Sequence, residues 1–157
     1  MTQSAFDPDS FLDQEIDGGL TTEYTPVPEM DDAVAMIRPE GGLTVRQVTN
    51  KETGKVSTIL NIDWIVDEQD ARDATGMNQP IARQSIFLDL NENGVLERGE
   101  NKNVALGKLA EALGLNADDS QFTLRQMLGQ VAKVRIKHRF GDADQIYAEV
   151  KGVKPVA

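Results

Sequence analysis

The stretch Val131-Ala132-Lys133-Val134-Arg135-Ile136-Lys137-His138-Arg139-Phe140 alternates between apolar and charged residues. A period of two is the mark of a strand with one face in a core and the other in solvent. Val134 and Ile136 fall on one side, and Lys133, Arg135, Lys137 and Arg139 on the other. The turn Gly141-Asp142-Ala143-Asp144 leads to a second alternating run, Ile146 to Val153, so the two runs predict a hairpin. Immediately upstream the period lengthens. A helix is expected over Val104 to Leu113, with Leu106, Leu109 and Leu113 on one stripe and Gly114 as its stop. A second helix is expected over Phe122 to Leu128, preceded by Ser120 and closed by Gly129.

Before the helices the period is again two. Val34 to Arg38 and Leu43 to Val48 read as strands around Pro39-Glu40-Gly41-Gly42, and Val56 to Val66 as a long strand entered through Asn50-Lys51-Glu52-Thr53-Gly54. In that strand Leu60, Ile62, Trp64 and Val66 share a face, which makes Trp64 a core residue. A polar loop, Glu68 to Pro80, leads to a further strand, Ala82 to Leu90. Strands, a helical insertion and two final strands are the plan of a small oligonucleotide-binding (OB) barrel. The expected class is mainly β with α, an OB-like β-barrel with a helical insertion before the last two strands.

A chain of 157 residues that is 39% hydrophobic has enough apolar content for one core. The expected division is an acidic N-terminal arm with a short helix, residues 1–32, and an OB-like domain, residues 33–157. Asp7 as cap, Pro8 at the first helical position, Leu12 and Ile16 spaced by four, and Gly18 and Gly19 as the stop predict the arm's helix. Thr25-Pro26-Val27-Pro28 should be extended. The arm holds nine acids and no Lys or Arg, so it carries −9 of the net charge of −10, and the rest, with 16 basic and 17 acidic side chains, is nearly neutral. Overall acidity therefore does not exclude a polyanionic partner. The absence of cysteine excludes disulfides and thiolate chemistry, and a single histidine, His138, excludes sites that need two imidazoles. No stretch approaches the roughly 18 apolar residues of a membrane helix, and the first residues lack a basic start and an apolar run. A cytoplasmic protein, with no membrane partner, is expected.

Like charges on one strand face repel, and side chains at i and i+2 stand about 7 Å apart. That is close to the phosphate spacing of an extended single strand, so Lys133, Arg135, Lys137 and Arg139 suit a polyanion. A solvated strand whose cations pair with the acidic arm or with nearby carboxylates is the alternative. Phe87, in phase with Arg83, Ser85 and Asp89, and Tyr147, in phase with Gln145, Glu149 and Lys151, should both point away from the core. Either ring could stack on a base, flanked by Arg83 and Lys151, or rest beneath the arm or a helix. His138 shares the phase of Val134 and Ile136 and reads as a neutral histidine at a sheet edge, not a catalyst.

Asp89 to Glu100 match the calcium loop of an EF-hand, with Asp89, Asn91 and Asn93 at the first, third and fifth positions, Gly94 at the sixth and Glu100 at the twelfth. The preceding Ser85-Ile86-Phe87-Leu88 alternates like a strand, no second hand exists, and two Asn ligands lower the charge. A polar turn is expected, with a calcium-binding module at 89–100 as the lesser alternative. Phosphate loops, nucleophile elbows and kinase or deaminase signatures are absent, so no enzyme, metal or cofactor is expected.

Four groups of residues then stand out: Ser85-Ile86-Phe87-Leu88-Asp89-Leu90; Lys102 to Leu109 with Ala112-Leu113-Gly114-Leu115; Gly129 to Val134; and Tyr147 to Val153. In order and spacing they resemble a family of small bacteriophage proteins of replication and recombination regions, regarded as OB-fold single-stranded DNA-binding proteins. The resemblance covers roughly residues 33–155. It implies sequence-independent binding and protection of single-stranded DNA in phage replication or recombination, without catalysis, in the host cytoplasm. Beside the DNA, replication or recombination proteins and further copies of the chain are the partners it implies. Bacterial single-strand binding proteins carry their acidic partner-binding tail at the C-terminus, whereas this chain is acidic at its start, so a tail function does not carry over. From a different class, a phage structural or adaptor protein using the same barrel to bind protein is the alternative.

Overall fold

The computed structural model describes residues 6–20, 25–116 and 121–156. Its strands are β1 (Met30–Ile37), β2 (Leu43–Thr49), β3 (Val56–Val66), β4 (Ile81–Leu88), β5 (Val131–Phe140) and β6 (Ile146–Lys154). They run in the order β1-β5-β6-β4-β3-β2, and β1 also pairs with β3, so five strands form a ring and β2 hangs from β3 outside it. The neighbours are antiparallel except β4 and β6, which are parallel and meet at one registered pair, Arg83 with Glu149. This is the OB-like barrel expected from the order of the elements.

β1 and β2 act as two halves of one bent strand laid along β3. Ala35, Met36 and Ile37 face Val66, Ile65 and Trp64, and the register resumes with Leu43 opposite Ile62. Between them the Arg38 N–H donates to the Asp63 carbonyl and the Asp63 N–H donates to the Gly42 carbonyl, both at 2.9 Å, so the ladder survives the bend. The bend requires glycine at 42, where a Cβ would lie 2.1 Å from the Arg38 carbonyl oxygen.

The inner faces supply the core. Leu60, Ile62, Trp64 and Val66 of β3 are buried as their alternation predicts, together with Ala132, Val134 and Ile136 of β5. The Trp64 indole N–H donates to Gln84 Oε1 at 2.9 Å, which satisfies the one polar atom of a fully buried ring. Helix α3 packs against both β4 and β6 at their sparse junction; counting Pro8–Leu12 as α1 and Gln69–Thr75 as α2, it spans Val104–Ala112. It buries Leu106, Leu109 and Ala110, each leucine contributing about 1.5–3 kcal/mol. Its end is a Schellman turn: Gly114 has φ +75, its N–H donates to the Glu111 carbonyl, and the Leu115 N–H reaches back to Ala110.

Several boundaries differ from expectation. β1 begins at Met30 rather than Val34, and Val27 before it is buried, so the body reaches back into the lead-in. β4 ends at Leu88, two residues early, because the chain turns into a bridge between Leu90 and Leu96. The polar loop contains α2, hidden because it buries only Ala71. The second expected helix is one 3-10 turn, Leu124–Met127, held by a capping box between Thr123 and Gln126; Ser120 lies outside the described residues. α1 stops at Leu12, and residues 6–20 are exposed throughout.

Candidate nucleic-acid interface

On β5 the inner positions Ala132, Val134 and Ile136 are completely buried, which fixes Lys133, Arg135, Lys137 and Arg139 on the outer face. Their partners on β6 are Lys154, Gly152, Glu149 and Tyr147 respectively. Between Arg135 and Ile136 the β6 register slips by one, from Gly152 to Val150, leaving Lys151 as the extra residue of a β-bulge. Val150 lies inward before the bulge and Val153 packs against the core after it. Lys151, Gly152 and Lys154 consequently border the outer face together. A matching irregularity lies on the other neighbour of β5: Met30 pairs with Ile136 but Ala33 with Val134, so Asp31 and Asp32 share the space beside Arg135. Arg135 thus has a bulge on each side, one delivering two carboxylates and one delivering lysines around a glycine.

Carboxylates answer some of these cations. Glu149, whose side chain is 19% exposed, meets Arg139 Nε at 2.7 Å and Lys151 Nζ at 3.7 Å. The Arg139 guanidinium also lies 4.7 Å over the Tyr147 ring, in cation–π contact. Lys154 pairs with Asp32. The Asp32 carboxyl is held below its ordinary range by the Lys154 hydrogen bond and, less strongly, by the Lys154 and Lys133 charges. Among the described residues, Lys133, Arg135 and Lys137 make no ion pair within 4 Å.

The remaining predicted residues lie elsewhere. Arg83, on β4, pairs with Asp63, which also holds Arg38. Phe87 is 68% exposed, as its phase predicts, and forms a row with Ile59 of β3 and Arg46 of β2. From the Arg83–Glu149 pair, Phe87 is four residues onward and Tyr147 two residues back. Six steps of about 3.3 Å put the two rings about 20 Å apart along the strands, at opposite ends of the surface. They therefore do not make one stacking platform. Phe140, 75% exposed, joins the Tyr147 end. The residues that sequence reasoning missed are Lys154 and Gly152, brought outward by the bulge, and Arg46, whose only signal was its phase with Thr44 and Val48.

His138 ties the lead-in to β5. Its backbone N–H donates to Glu29 Oε2 at 2.9 Å, and its Nε2 lies 2.7 Å from the Val27 carbonyl oxygen, an acceptor only, so Nε2 carries the proton. The Glu29 carboxyl is lowered chiefly by that backbone hydrogen bond, with Lys137 and His138 adding charge. The acidic chain thus leaves the body beside the cation row. In its described part Phe6 and Phe11 pack ring to ring at 5.4 Å, both mostly exposed.

The 89–100 segment is a tight hairpin in which Asn91 Oδ1 accepts from the Asn93 and Val95 N–H groups. Asn103 locks its base: its N–H donates to Asp89 Oδ2 at 2.8 Å and its side-chain amide donates to the Asp89 and Glu97 carbonyls. Two of the side chains at calcium-ligand positions are thereby engaged with backbone. Among the described residues no three His, Asp or Glu groups gather as metal ligands, and no helix is long and apolar enough to cross a membrane. Comparison with protein-family models, curated proteins and solved structures gives no match.

Proposed function

We propose that the protein binds single-stranded nucleic acid, DNA in the first place, independently of sequence, and protects it during phage replication or recombination without chemistry of its own. The observation that carries the reading is the row Lys133, Arg135 and Lys137 on the outer face of an OB-like barrel, without an ion-pair partner among the described residues. Alternate residues of a strand present charge about every 7 Å, a spacing an extended phosphate backbone can follow. Tyr147, 41% exposed and backed by Arg139, supplies a ring face at the end of that row on which a base can stack. Arg46 and Phe87, on either side of Ile59, supply a further cation and a further ring farther along the surface.

Anisotropy of labelled oligo-dT with the full chain tests the reading. Binding that weakens steeply with salt and is indifferent to base composition is the expected result, and no binding at low salt would refute it. A second reading, an adaptor that binds protein, draws on the exposed Phe6, Phe11, Leu12, Ile16 and Leu20 of the arm. Single-strand binding that survives mutation of the whole cation row, or none at all, would favour it.

A further inference from the structure

Between the two bulges around Arg135 lies an open depression of about 280 Å³ lined by Asp31, Lys133, Arg135 and residues 151–154. A regular hairpin would not make this shape. Strict alternation would send Lys154 to the same side as Val150, and the extra residue in β6 reverses it, so lysines flank a glycine on the outer face. Gly152 leaves the floor open. Its φ is not in the left-handed region and a Cβ there would meet only Arg135 Cβ, at 3.7 Å, and Nε, at 4.0 Å, so its backbone does not require glycine.

The cations around this space are only partly answered. Lys154 is held by Asp32, and Lys151 stands 3.7 Å from Glu149, which is closer to Arg139. Lys133 and Arg135 have no ion-pair partner among the described residues, and Asp31 stands near without pairing. Four cationic side chains lining one concave space suit the tetrahedral oxygens of a phosphate group better than a flat row does, because each oxygen can meet a separate donor. Asp32 occupies one of those donors in its place.

We infer that this depression is a phosphate seat in which one phosphodiester of the bound strand displaces Asp32 from Lys154, so that Asp32 acts as a built-in competitor that limits affinity. The inference rests on the proposed function for the source of the phosphate, but not for the seat itself. A free phosphate or the terminal phosphate of an oligonucleotide presents the same chemistry.

The test uses the full chain with two probes: inorganic phosphate, followed by amide chemical shifts, and labelled oligo-dT, with and without a 5′-phosphate, followed by anisotropy. Phosphate should shift the amides of Arg135, Lys151 and Gly152 saturably. Gly152→Asp places a carboxylate on the floor and should weaken both probes about tenfold, the size of one charge-assisted hydrogen bond. Gly152→Ala, which adds only a methyl in ordinary contact, should stay within about twofold of wild type and guards against a folding defect. Asp32→Asn frees Lys154 and should tighten both probes several-fold. Equal affinity for the two oligonucleotides is expected of an internal phosphodiester; a clear preference for the 5′-phosphate would overturn that assignment. Oligo-dT affinity unchanged in both Gly152→Asp and Asp32→Asn would overturn the seat while leaving the proposed function intact. Phosphate shifts at the bulge with no oligo-dT binding would do the reverse.

Discussion

Replacing Glu149 by glutamine should make single-strand binding both tighter and more sensitive to salt. In the wild-type protein three row cations, Lys133, Arg135 and Lys137, make no ion pair among the described residues, while the Glu149 carboxylate withdraws two more, Arg139 at 2.7 Å and Lys151 at 3.7 Å. Each phosphate neutralised on a single strand steepens the slope of log affinity against log salt by about 0.7. With Lys133 and Arg135 sharing the seated phosphate and Lys137 meeting a second, the wild type gives about −1.4, and Arg139, once released, adds a third for about −2.1. Glutamine keeps the size of the side chain and removes its charge. The two cations are half exposed, at 54% and 50%, so each ion pair contributes at most about 1 kcal/mol and the variant should fold. The assay is anisotropy of labelled oligo-dT across a salt series, with melting followed in parallel. Lys137→Ala, measured alongside, should flatten the slope to about −0.7. If Lys137→Ala flattens the slope but Glu149→Gln leaves both slope and affinity unaltered, Glu149 does not restrain the row, and the count of free cations is wrong.

Three further outcomes are expected. Millimolar calcium should leave the melting temperature unchanged, whereas Asp89→Ala should lower stability by roughly 1–2 kcal/mol with or without calcium, through loss of the Asn103 N–H contact, as urea denaturation would measure. Removing residues 1–20 should tighten oligo-dT binding at low salt and not at high salt, because a tethered polyanion competes with the strand and salt screens both; removal through Pro28 should in addition lower the melting temperature, since it takes away the buried Val27 and its carbonyl contact to His138. The Glu29 carboxyl is lowered from 4.5 by the His138 N–H, so the stability it contributes is present above that value and lost as pH falls through the lower folded value. Glu29→Gln should remove that acid-dependent part of the loss of melting temperature, while a curve identical to wild type would show that the contact contributes nothing.

Much of the barrel is legible in the chain because burial on one side writes a period of two. Ile62 and Trp64 in β3 and Val134 and Ile136 in β5 could be assigned to the inside, and the four β5 cations to the outside, before any partner strand was known. The phases of Phe87 and Tyr147 were legible for the same reason. Their distance apart was not, because it depends on the parallel pairing of β4 with β6, two strands separated by more than fifty residues of chain that carry no local trace of their register. The bulges were equally silent. A single extra residue reverses every later side chain of β6, and only Gly152, a small residue among lysines, hinted at it. Elements that bury little, such as α2 with Ala71 alone, leave too faint a pattern to read.

The meeting of β4 and β6 at one registered pair means that the barrel is built like a book whose spine and fore-edge differ in kind. The spine is the antiparallel β1–β3 joint, continuous with the hydrogen-bond ladders on either side. The fore-edge is the short parallel β4–β6 pairing, backed by α3 through Leu106, Leu109 and Ala110. One cover carries Lys133 to Arg139 and Tyr147; the other carries Arg46 and Phe87. The span a bound strand must bridge between the covers therefore crosses the joint with the fewest registered backbone pairs, where the aliphatic side chains of α3 do part of the holding.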